Sequence, residues 1–282
     1  MAIRFVVDST ANMPTEVAER FAVVPLVVRF GEEEFVEGVT IDCKRFYEKL
    51  VECDELPTTS QPTPEAFAGV YRHAVEAGDE VVVITVSSKL SGTYQSACIA
   101  AMDFPEGRIH VVDSLSVSIG AGILAQLAVQ LADRGLTAAG IARELNRERE
   151  KLRVIALLDT LEYLKKGGRI SKTVAFAGGL LSIKPVVCVE EGAVKLLGKA
   201  RGSRQGNNLL IEQIRLSGGV DYEKPLLLGY TGLSDVLLQK YIADSAALWE
   251  PYPKALQTCI IGSVIGTHVG PGAVAAAFFA KA

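Results

Sequence analysis

Residues 81–94 read VVVITVSSKLSGTY, so an apolar run without a charge leads directly into a turn rich in hydroxyl groups. A short run rich in Val and Ile, without polar alternation, is typical of a strand that is covered on both faces. From Thr93 onward, small and apolar residues recur at helical spacing, which predicts a helix directly after the turn. The order strand, turn, helix is the repeating unit of an α/β fold.

The same unit recurs elsewhere in the first half of the chain. Residues 3–7 form an apolar run that ends in the DST of residues 8–10, and residues 109–112 form another that ends in the DS of residues 113–114. The predicted helices between and after these strands are 64–77, 93–102 and 120–134. Strands that alternate with helices predict parallel pairing with right-handed crossovers.

The second half predicts a different kind of sheet. Residues 184–189 and 194–197 are apolar runs around a Gly-containing turn, which is the pattern of a β-hairpin. Further strands are predicted at 153–158, 226–230 and 258–261. We therefore expect two α/β domains: an N-terminal parallel-sheet α/β/α domain, residues 1–150, and a C-terminal mixed-sheet domain, residues 151–282. The polar stretch 143–151 marks this boundary, or it ends a long helix that enters the second domain.

The composition excludes several classes of protein. With 49% hydrophobic residues, 22% charged residues and a mean hydropathy of +0.27, the chain has enough apolar surface to fold. This composition excludes a protein that is mainly disordered. The longest apolar stretch, near 117–132, contains Ser118, Gln126 and Gln130 and falls short of about 20 apolar residues for a membrane span. The high mean hydropathy therefore indicates a large hydrophobic core or an apolar ligand cavity. The N-terminus lacks a signal-peptide pattern, so we expect a cytoplasmic protein.

Cysteine and histidine usage gives no sign of a metal site or a cofactor. The five cysteines are scattered without a CxxC pair, and no His, Asp and Glu cluster has metal-ligand spacing. Reduced, largely buried thiols fit a reducing compartment. We expect neither a metal nor a cofactor.

The net charge of −4 conceals an asymmetry along the chain. Residues 1–150 carry 13 Lys and Arg against 23 Asp and Glu, whereas residues 151–282 carry 16 against 10. Residues 165–204 alone hold nine basic and two acidic residues. This basic stretch indicates either an anionic partner or a surface that is simply solvated, and the sequence favours neither over the other. Few aromatic residues lie within it, so nucleic acid is the less favoured partner.

Hydroxyl-rich turns supply the candidate ligand contacts. Ser91, Gly92 and Thr93 open a helix, whose free backbone N–H groups and dipole favour a carboxylate or phosphate. Ser91 as a plain helix cap is the alternative. In TTSQPTP, residues 58–64, two prolines predict a loop that leaves Thr59 and Ser60 free to face a ligand.

Four basic side chains beside glycines are further candidates. His268 lies in the glycine-rich stretch GSVIGTHVGPG, residues 262–272, where it could donate to a carboxylate or be held by local backbone bonds. Arg169 follows two glycines, and Arg201 and Arg204 flank a Gly-Ser pair. A guanidinium presented from such a turn can form two hydrogen bonds with a carboxylate or phosphate, or it can simply be solvated.

The same residues allow a catalytic alternative. Ser91, His268 and Asp113 could meet in space as a hydrolase triad, although no GxSxG nucleophile elbow is present. A serine-dependent lipid hydrolase or acyltransferase using Ser91 and His268 therefore stays the alternative to a binding protein.

Seven segments together resemble the DegV family, which includes the fatty-acid-binding subunits of bacterial fatty acid kinase. They are VVDST, TTSQPTPEAF, SSKLSGTYQSA, HVVDS, LEYLKKGGRIS, SIKPVV and GTHVGPGA, in this order along nearly the whole chain. The resemblance implies two α/β domains with a fatty acid buried between them. By segment, it implies that the lipid carboxylate is held by Thr59, Ser91 and His268, and it matches Arg169 and Arg201 to two arginines of the family. The residues themselves add Ser60 and the backbone amides of Gly92 and Thr93 as supporting candidates.

The resemblance also implies a function. We expect a carrier without catalysis of its own, which binds a long-chain, palmitate-like fatty acid and presents its carboxylate to a separate fatty acid kinase subunit or serves lipid transport. A regulatory protein that uses the lipid as a structural ligand is a further alternative. The basic stretch 165–204 is then a candidate docking surface for the kinase.

Overall fold

The computed structural model describes residues 2–171 and 183–281; Lys172 of the basic stretch and Ser182 of the SIKPVV segment lie outside these ranges. The strands are β1 Ile3–Asp8, β2 Phe21–Val24, β3 Val27–Phe30, β4 Glu33–Val36, β5 Thr58–Ser60, β6 Glu80–Thr85, β7 Ile109–Asp113, β8 Leu152–Leu157, β9 Ile183–Glu190, β10 Ala193–Arg201, β11 Leu227–Tyr230, β12 Thr258–Ile260 and β13 Val274–Phe279.

The helices alternate with these strands through most of the chain. They are α1 Thr15–Ala18, α2 Cys43–Glu52, α3 Pro64–Glu76, α4 Thr93–Ala101, α5 Ile119–Asp133, α6 Ala138–Glu148, α7 Glu162–Lys166, α8 Gly202–Leu216, α9 Val236–Asp244, α10 Ala246–Trp249 and α11 Ser263–Val269, with a 3₁₀ turn at Arg149–Lys151.

The first sheet is parallel, as predicted, with strand order β2-β1-β6-β7. Its two faces bury alternate residues of the same strands: Val81 and Val83 pack towards α3 and α4, while Val82 and Ile84 pack towards α5 and α6. Both faces are apolar because both are covered, which is why residues 81–86 lack polar alternation. The predicted N-cap of α3 is also present, since the Thr63 hydroxyl accepts from the backbone N–H of Ala66 at 3.3 Å.

The second sheet is mixed, as predicted, with strand order β10-β9-β8-β13-β11-β12. All pairs are antiparallel except β11 with β12. The predicted hairpin is present as β9 and β10, and β10 forms an edge of this sheet. Strand β13 lies at its centre and was not predicted, because the small residues of VAAAFF give a weak strand pattern.

Helix α5 lies between the first and second sheets. Eleven of its residues are buried, including the polar Gln126, and its neighbours include β6 on one side and β8, β11 and β13 on the other. A helix that is apolar on all sides needs such a position. The largest core cluster accordingly contains residues of both halves, so the boundary proposed near residue 150 stays a prediction.

A third sheet, of strand order β4-β3-β5, was not predicted and corrects the expected loop at residues 58–64. Thr58–Ser60 is a strand whose Thr59 pairs with Val28. Its three residues are too few for a period-2 pattern, and the pairing that fixes them comes from a distant part of the chain. Alternation along β5 leaves Thr58 and Ser60 exposed and turns Thr59 inward.

Residues 262–272 also differ from the expected glycine-rich loop, because Ser263–Val269 is helix α11. Gly266 lies inside it, where an added Cβ would come within 2.6 Å of the Phe46 ring. This glycine therefore serves close packing rather than a chain reversal. Across residues 2–171 and 183–281, no helix combines the length and apolarity that crossing a membrane requires.

Candidate functional site

A cavity of about 70 Å³ lies where the two halves of the chain meet. Most of its wall is apolar, and its polar side chains are gathered from separate turns, strands and helices. The lining residues are Thr10, Leu26, Thr59, Val86, Leu90, Ser91 and Val117 from the first half, and Leu164, Arg169, Val194, Val264, Ile265, His268 and Val269 from the second. Three residues that the sequence singled out for one carboxylate, Thr59, Ser91 and His268, thus face one space.

His268 and Thr59 form a direct pair across the fold. The imidazole Nε2 lies 2.9 Å from the Thr59 hydroxyl, although 209 positions separate the two residues. Burial, and then the positive charge of Arg169, lowers the pKa of His268 to about 4. The imidazole is therefore neutral at physiological pH.

The surroundings of the other ring nitrogen of His268 favour one tautomer. Nδ1 is buried without a hydrogen-bond partner among the described residues, and it lies against Gly167, where an added Cβ would come within 2.3 Å of it. A buried N–H without an acceptor is rarer than a buried lone pair without a donor. We infer that Nε2 carries the proton and donates to Thr59. The Thr59 hydroxyl hydrogen then remains available to donate to a ligand.

Ser91 lies in the turn between β6 and α4. Its hydroxyl is 2.9 Å from the Thr93 hydroxyl and accepts the Thr93 backbone N–H at 3.3 Å. The N-cap of α4 is Gly92, and it makes no side-chain cap bond, so the interpretation of Ser91 as a plain helix cap is wrong. The Ser91 side chain lines the cavity. Gly92 lies under Gln61, whose amide oxygen would be 2.1 Å from an added Cβ. Gly92 therefore permits the close packing of the Gln61 loop on the start of α4.

Arg169 connects the two sides of the polar end of the cavity, which is the part lined by Thr59, Ser91, Arg169 and His268. Its Nε donates to the Leu90 carbonyl at 3.2 Å, and its Nη1 donates to the Gly167 carbonyl at 2.6 Å. One guanidinium thereby connects the turn that carries Ser91 with the turn that supports His268. It also brings a permanent positive charge to the cavity wall.

Several other predicted residues lie away from the cavity. Ser60 is exposed on the outer face of β5. Arg201 is exposed at the start of α8, where its backbone N–H donates to Gln205, and Arg204 is exposed one turn further along the helix. Gly92 and Thr93 support Ser91 but are not part of the lining.

The catalytic alternative is not assembled among the described residues. The Ser91 hydroxyl interacts with Thr93, while His268 Nε2 interacts with Thr59. The Asp113 carboxylate accepts instead from the backbone N–H groups of Ser88 and Leu115. In residues 2–171 and 183–281, no group of three His, Cys, Asp or Glu side chains could hold a metal ion.

Sequence reasoning missed the contribution of Thr10. Its hydroxyl donates at 2.5 Å to the fully buried carboxylate of Asp8, which also accepts the backbone N–H of Val86 at 2.6 Å. Thr10 and Val86 both line the cavity, so Asp8 holds two parts of its wall. The DST at the carboxyl end of β1 was a usable signal, because ligands of open α/β sheets bind at these ends.

Comparisons with known proteins find relatives along nearly the whole chain. The family described as "Uncharacterised protein, DegV family" matches residues 2–281. A fatty acid-binding protein of Thermotoga maritima is 31% identical over 283 residues, which is 97% of this chain and 96% of that protein.

Solved structures share the fold over the full length. A DegV family protein of Thermus thermophilus, whose structure is described as showing fatty acid binding, superposes with a TM-score of 0.88 at 34% identity and covers 100% of both chains. A stearic acid-binding protein of Eubacterium ventriosum superposes with a TM-score of 0.87 at 26% identity, covering 99% of this chain and 98% of that one. By this agreement of sequence and structure along its whole length, the chain belongs to the DegV family.

Proposed function

We propose that this protein binds one long-chain fatty acid, with the carboxylate at the polar end of the cavity and the acyl chain along its apolar wall. One observation carries the proposal: Thr59, His268, Ser91 and Arg169, from four separate segments, converge on a single apolar cavity. Fatty acid binding by the relatives from Thermus thermophilus and Eubacterium ventriosum supports the same conclusion.

The polar end has the groups that a buried carboxylate needs. An ionised carboxylate is costly to bury unless donors and a positive charge surround it. The Thr59 and Ser91 hydroxyls supply donors, and Arg169 supplies the charge. His268 orients Thr59 and stays neutral, because its burial, and then the positive charge of Arg169, disfavours the charged imidazolium.

The apolar wall supplies most of the affinity. Each buried methylene contributes about 0.8 kcal/mol, so a 16-carbon chain gains on the order of 12 kcal/mol before association costs. A cavity of 70 Å³ has room for a few water molecules. A long chain therefore requires parts of the wall to move outward. Val194 is a suitable part, since it lies on the edge strand β10.

A binding measurement with two ligands tests this proposal. Delipidated protein is titrated with palmitate and with methyl palmitate, which has the same chain but no ionised carboxylate. We expect palmitate to bind at least about tenfold more tightly, because hydrogen bonds to a charged group contribute about 1.5–3 kcal/mol each. Failure of both ligands to bind would overturn the proposal, and equal binding would exclude the carboxylate site.

We further propose that the bound carboxylate is presented to a separate kinase subunit, which phosphorylates it. The basic stretch around Lys165 and Lys166 adjoins Arg169, and Lys166 is exposed. An electropositive surface at the polar end of the cavity suits a phosphate-bearing partner. The protein would then serve as a carrier without catalysis of its own.

Charge reversal tests the kinase proposal. The double variant Lys165→Glu, Lys166→Glu should bind palmitate as the wild type does but slow phosphorylation of the bound acid by a fatty acid kinase subunit. Lys254→Glu, a charge reversal elsewhere on the surface of the second half, is the control. Equal phosphorylation rates in all three proteins would exclude docking at this stretch.

A further inference from the structure

Glu37 is a buried carboxylate with three donors from two distant parts of the chain. Its Oε1 accepts from the Ser263 hydroxyl and the Val264 backbone N–H, both at 2.9 Å. Its Oε2 accepts from the Ser9 hydroxyl at 2.5 Å. Burial raises the pKa of Glu37, and the three hydrogen bonds oppose that rise. Sequence reasoning gave this residue no role.

These bonds place Glu37 at the start of the helix that carries His268. Ser263 and Val264 are the first residues of α11, and His268 follows Val264 by four positions, which is about 6 Å along a helix. A carboxylate at this end satisfies helix N–H groups that otherwise lack partners. Gly262 permits the approach, because an added Cβ there would lie 2.5 Å from Glu37 Oε1.

The backbone of Glu37 adjoins the sheet that carries Thr59. Glu37 directly follows β4, and its N–H donates to the Leu26 carbonyl at 3.0 Å, just before β3. Strand β3 pairs with β5 through Val28 and Thr59. Glu37 therefore joins the sheet of Thr59 to the helix of His268 by side-chain bonds that span more than 220 positions.

Ser9 extends this connection to the first sheet. Its hydroxyl donates to Glu37 and accepts the Leu26 backbone N–H at 3.0 Å. Leu26 and Val264 line the cavity themselves. The packing of Gly266 on Phe46 restrains α11 perpendicular to its axis. The Glu37 carboxylate restrains the helix along its axis.

We propose that Glu37 is a positioning residue, which sets the Thr59–His268 pair by joining the third sheet to the start of α11. The consequence for fatty acid binding rests on the proposed function, whereas the effect on His268 does not. Glutamine at position 37 keeps the shape of the side chain but replaces one acceptor oxygen with a donor. That donor would face the Ser9 hydroxyl, which must then turn its own hydrogen away from position 37, so the bond that Ser9 donates is lost. The two bonds from the start of α11 also lose their charged acceptor and weaken.

The experiment compares Glu37→Gln with Glu148→Gln. Glu148 is also a buried carboxylate, bonded to Lys224 and Arg147 and absent from the cavity wall. The chain has three histidines, so two-bond ¹H–¹⁵N NMR spectra of the delipidated protein resolve each imidazole. We expect Glu37→Gln to shift the His268 Nε2 resonance and weaken palmitate binding about tenfold, a loss of about one charged hydrogen bond. Glu148→Gln should lower thermal stability only.

The outcomes separate the two proposals. An unchanged His268 spectrum in Glu37→Gln overturns the positioning role, whether or not the wild type binds palmitate. If the spectrum of Glu37→Gln is shifted but the wild type binds no fatty acid, the proposed function is overturned and the positioning role is kept. Should Glu37→Gln not fold, Ser263→Ala removes one of the three donors, and we expect a smaller shift of the same resonance.

Discussion

The polar end of the cavity and its apolar wall are built in different ways. The polar side chains are fixed by hydrogen bonds: Thr59 to His268, Ser91 to Thr93, and Arg169 to two backbone carbonyls. The side chains of the apolar wall make no hydrogen bonds and are held by packing, and one of them, Val194, lies on the edge strand β10. A preorganised end loses little entropy when it binds a charged group, while a wall held by packing can adapt to a chain. We therefore expect orientation from the first region and affinity from the second.

The largest expected effect concerns the apolar wall. Shortening the ligand from 16 to 10 carbons removes six methylenes, which is about 5 kcal/mol of burial at 0.8 kcal/mol each. We expect the affinity to fall on the order of a thousandfold, measured by displacement of a fluorescent fatty acid. An affinity that does not depend on chain length would mean that the wall does not contact the tail.

The next largest effect concerns the polar end. The double variant Thr59→Ala, Ser91→Ala removes the two proposed donors to the carboxylate, and we expect about a hundredfold weaker palmitate binding at about 1.5 kcal/mol per donor. Binding of the alcohol with the same chain should change much less. The exposed pair Thr58→Ala, Ser60→Ala on the outer face of β5 is the control. Equal losses for acid and alcohol would point to damage of the fold.

A third effect is the pH dependence of stability. Burial, and then the charge of Arg169, lowers the pKa of His268 to about 4 in the folded protein, whereas the ordinary pKa of 6.5 holds in the unfolded chain. The unfolded chain thus binds more protons between these values, and this histidine makes stability fall as the pH drops from 6.5 towards 4, by up to about 1.4 kcal/mol per pH unit. His268→Gln should flatten this part of the profile, measured by urea unfolding of delipidated protein. Parallel profiles for variant and wild type would contradict the buried, neutral imidazole.

A smaller effect is expected for the arginine that joins both sides. Arg169→Met removes the positive charge, so palmitate should bind about tenfold more weakly, as for the loss of one charge-assisted hydrogen bond. The pKa of His268 should also rise in part, because burial still lowers it but the charge of Arg169 no longer does. ¹H–¹⁵N NMR titration measures that rise, and an unchanged pKa would show that the guanidinium does not reach the imidazole.

The smallest effect is expected at Arg201. Arg201→Met should leave palmitate binding within about twofold, since exposed charges contribute little to a buried site. A larger loss of palmitate affinity, measured in the same displacement assay, would mean that the start of α8 contributes to the carboxylate site.

Sequence patterns predicted the elements that local physics decides. The covered strand and hydroxyl turn of residues 81–94 and the β9–β10 hairpin follow from short-range periodicity and turn chemistry, and both are confirmed. Strand β5 and helix α11 were missed because distant partners fix them: Val28 pairs with Thr59, and Phe46 packs on Gly266. Glu37 had no signal at all, since an acidic residue in GEEEFVEG resembles surface charge.

The approach of the carboxylate to the polar end can be measured directly. Palmitate labelled with ¹³C at the carboxyl carbon gives one NMR signal, whose shift reports ionisation and hydrogen bonding. We predict that in complex with the wild-type protein this signal stays that of an ionised carboxylate well below pH 5, because Arg169 and the hydroxyl donors stabilise the charged form. A bound signal that titrates like free palmitate, unaltered by Thr59→Ala, Ser91→Ala, would contradict the proposed site.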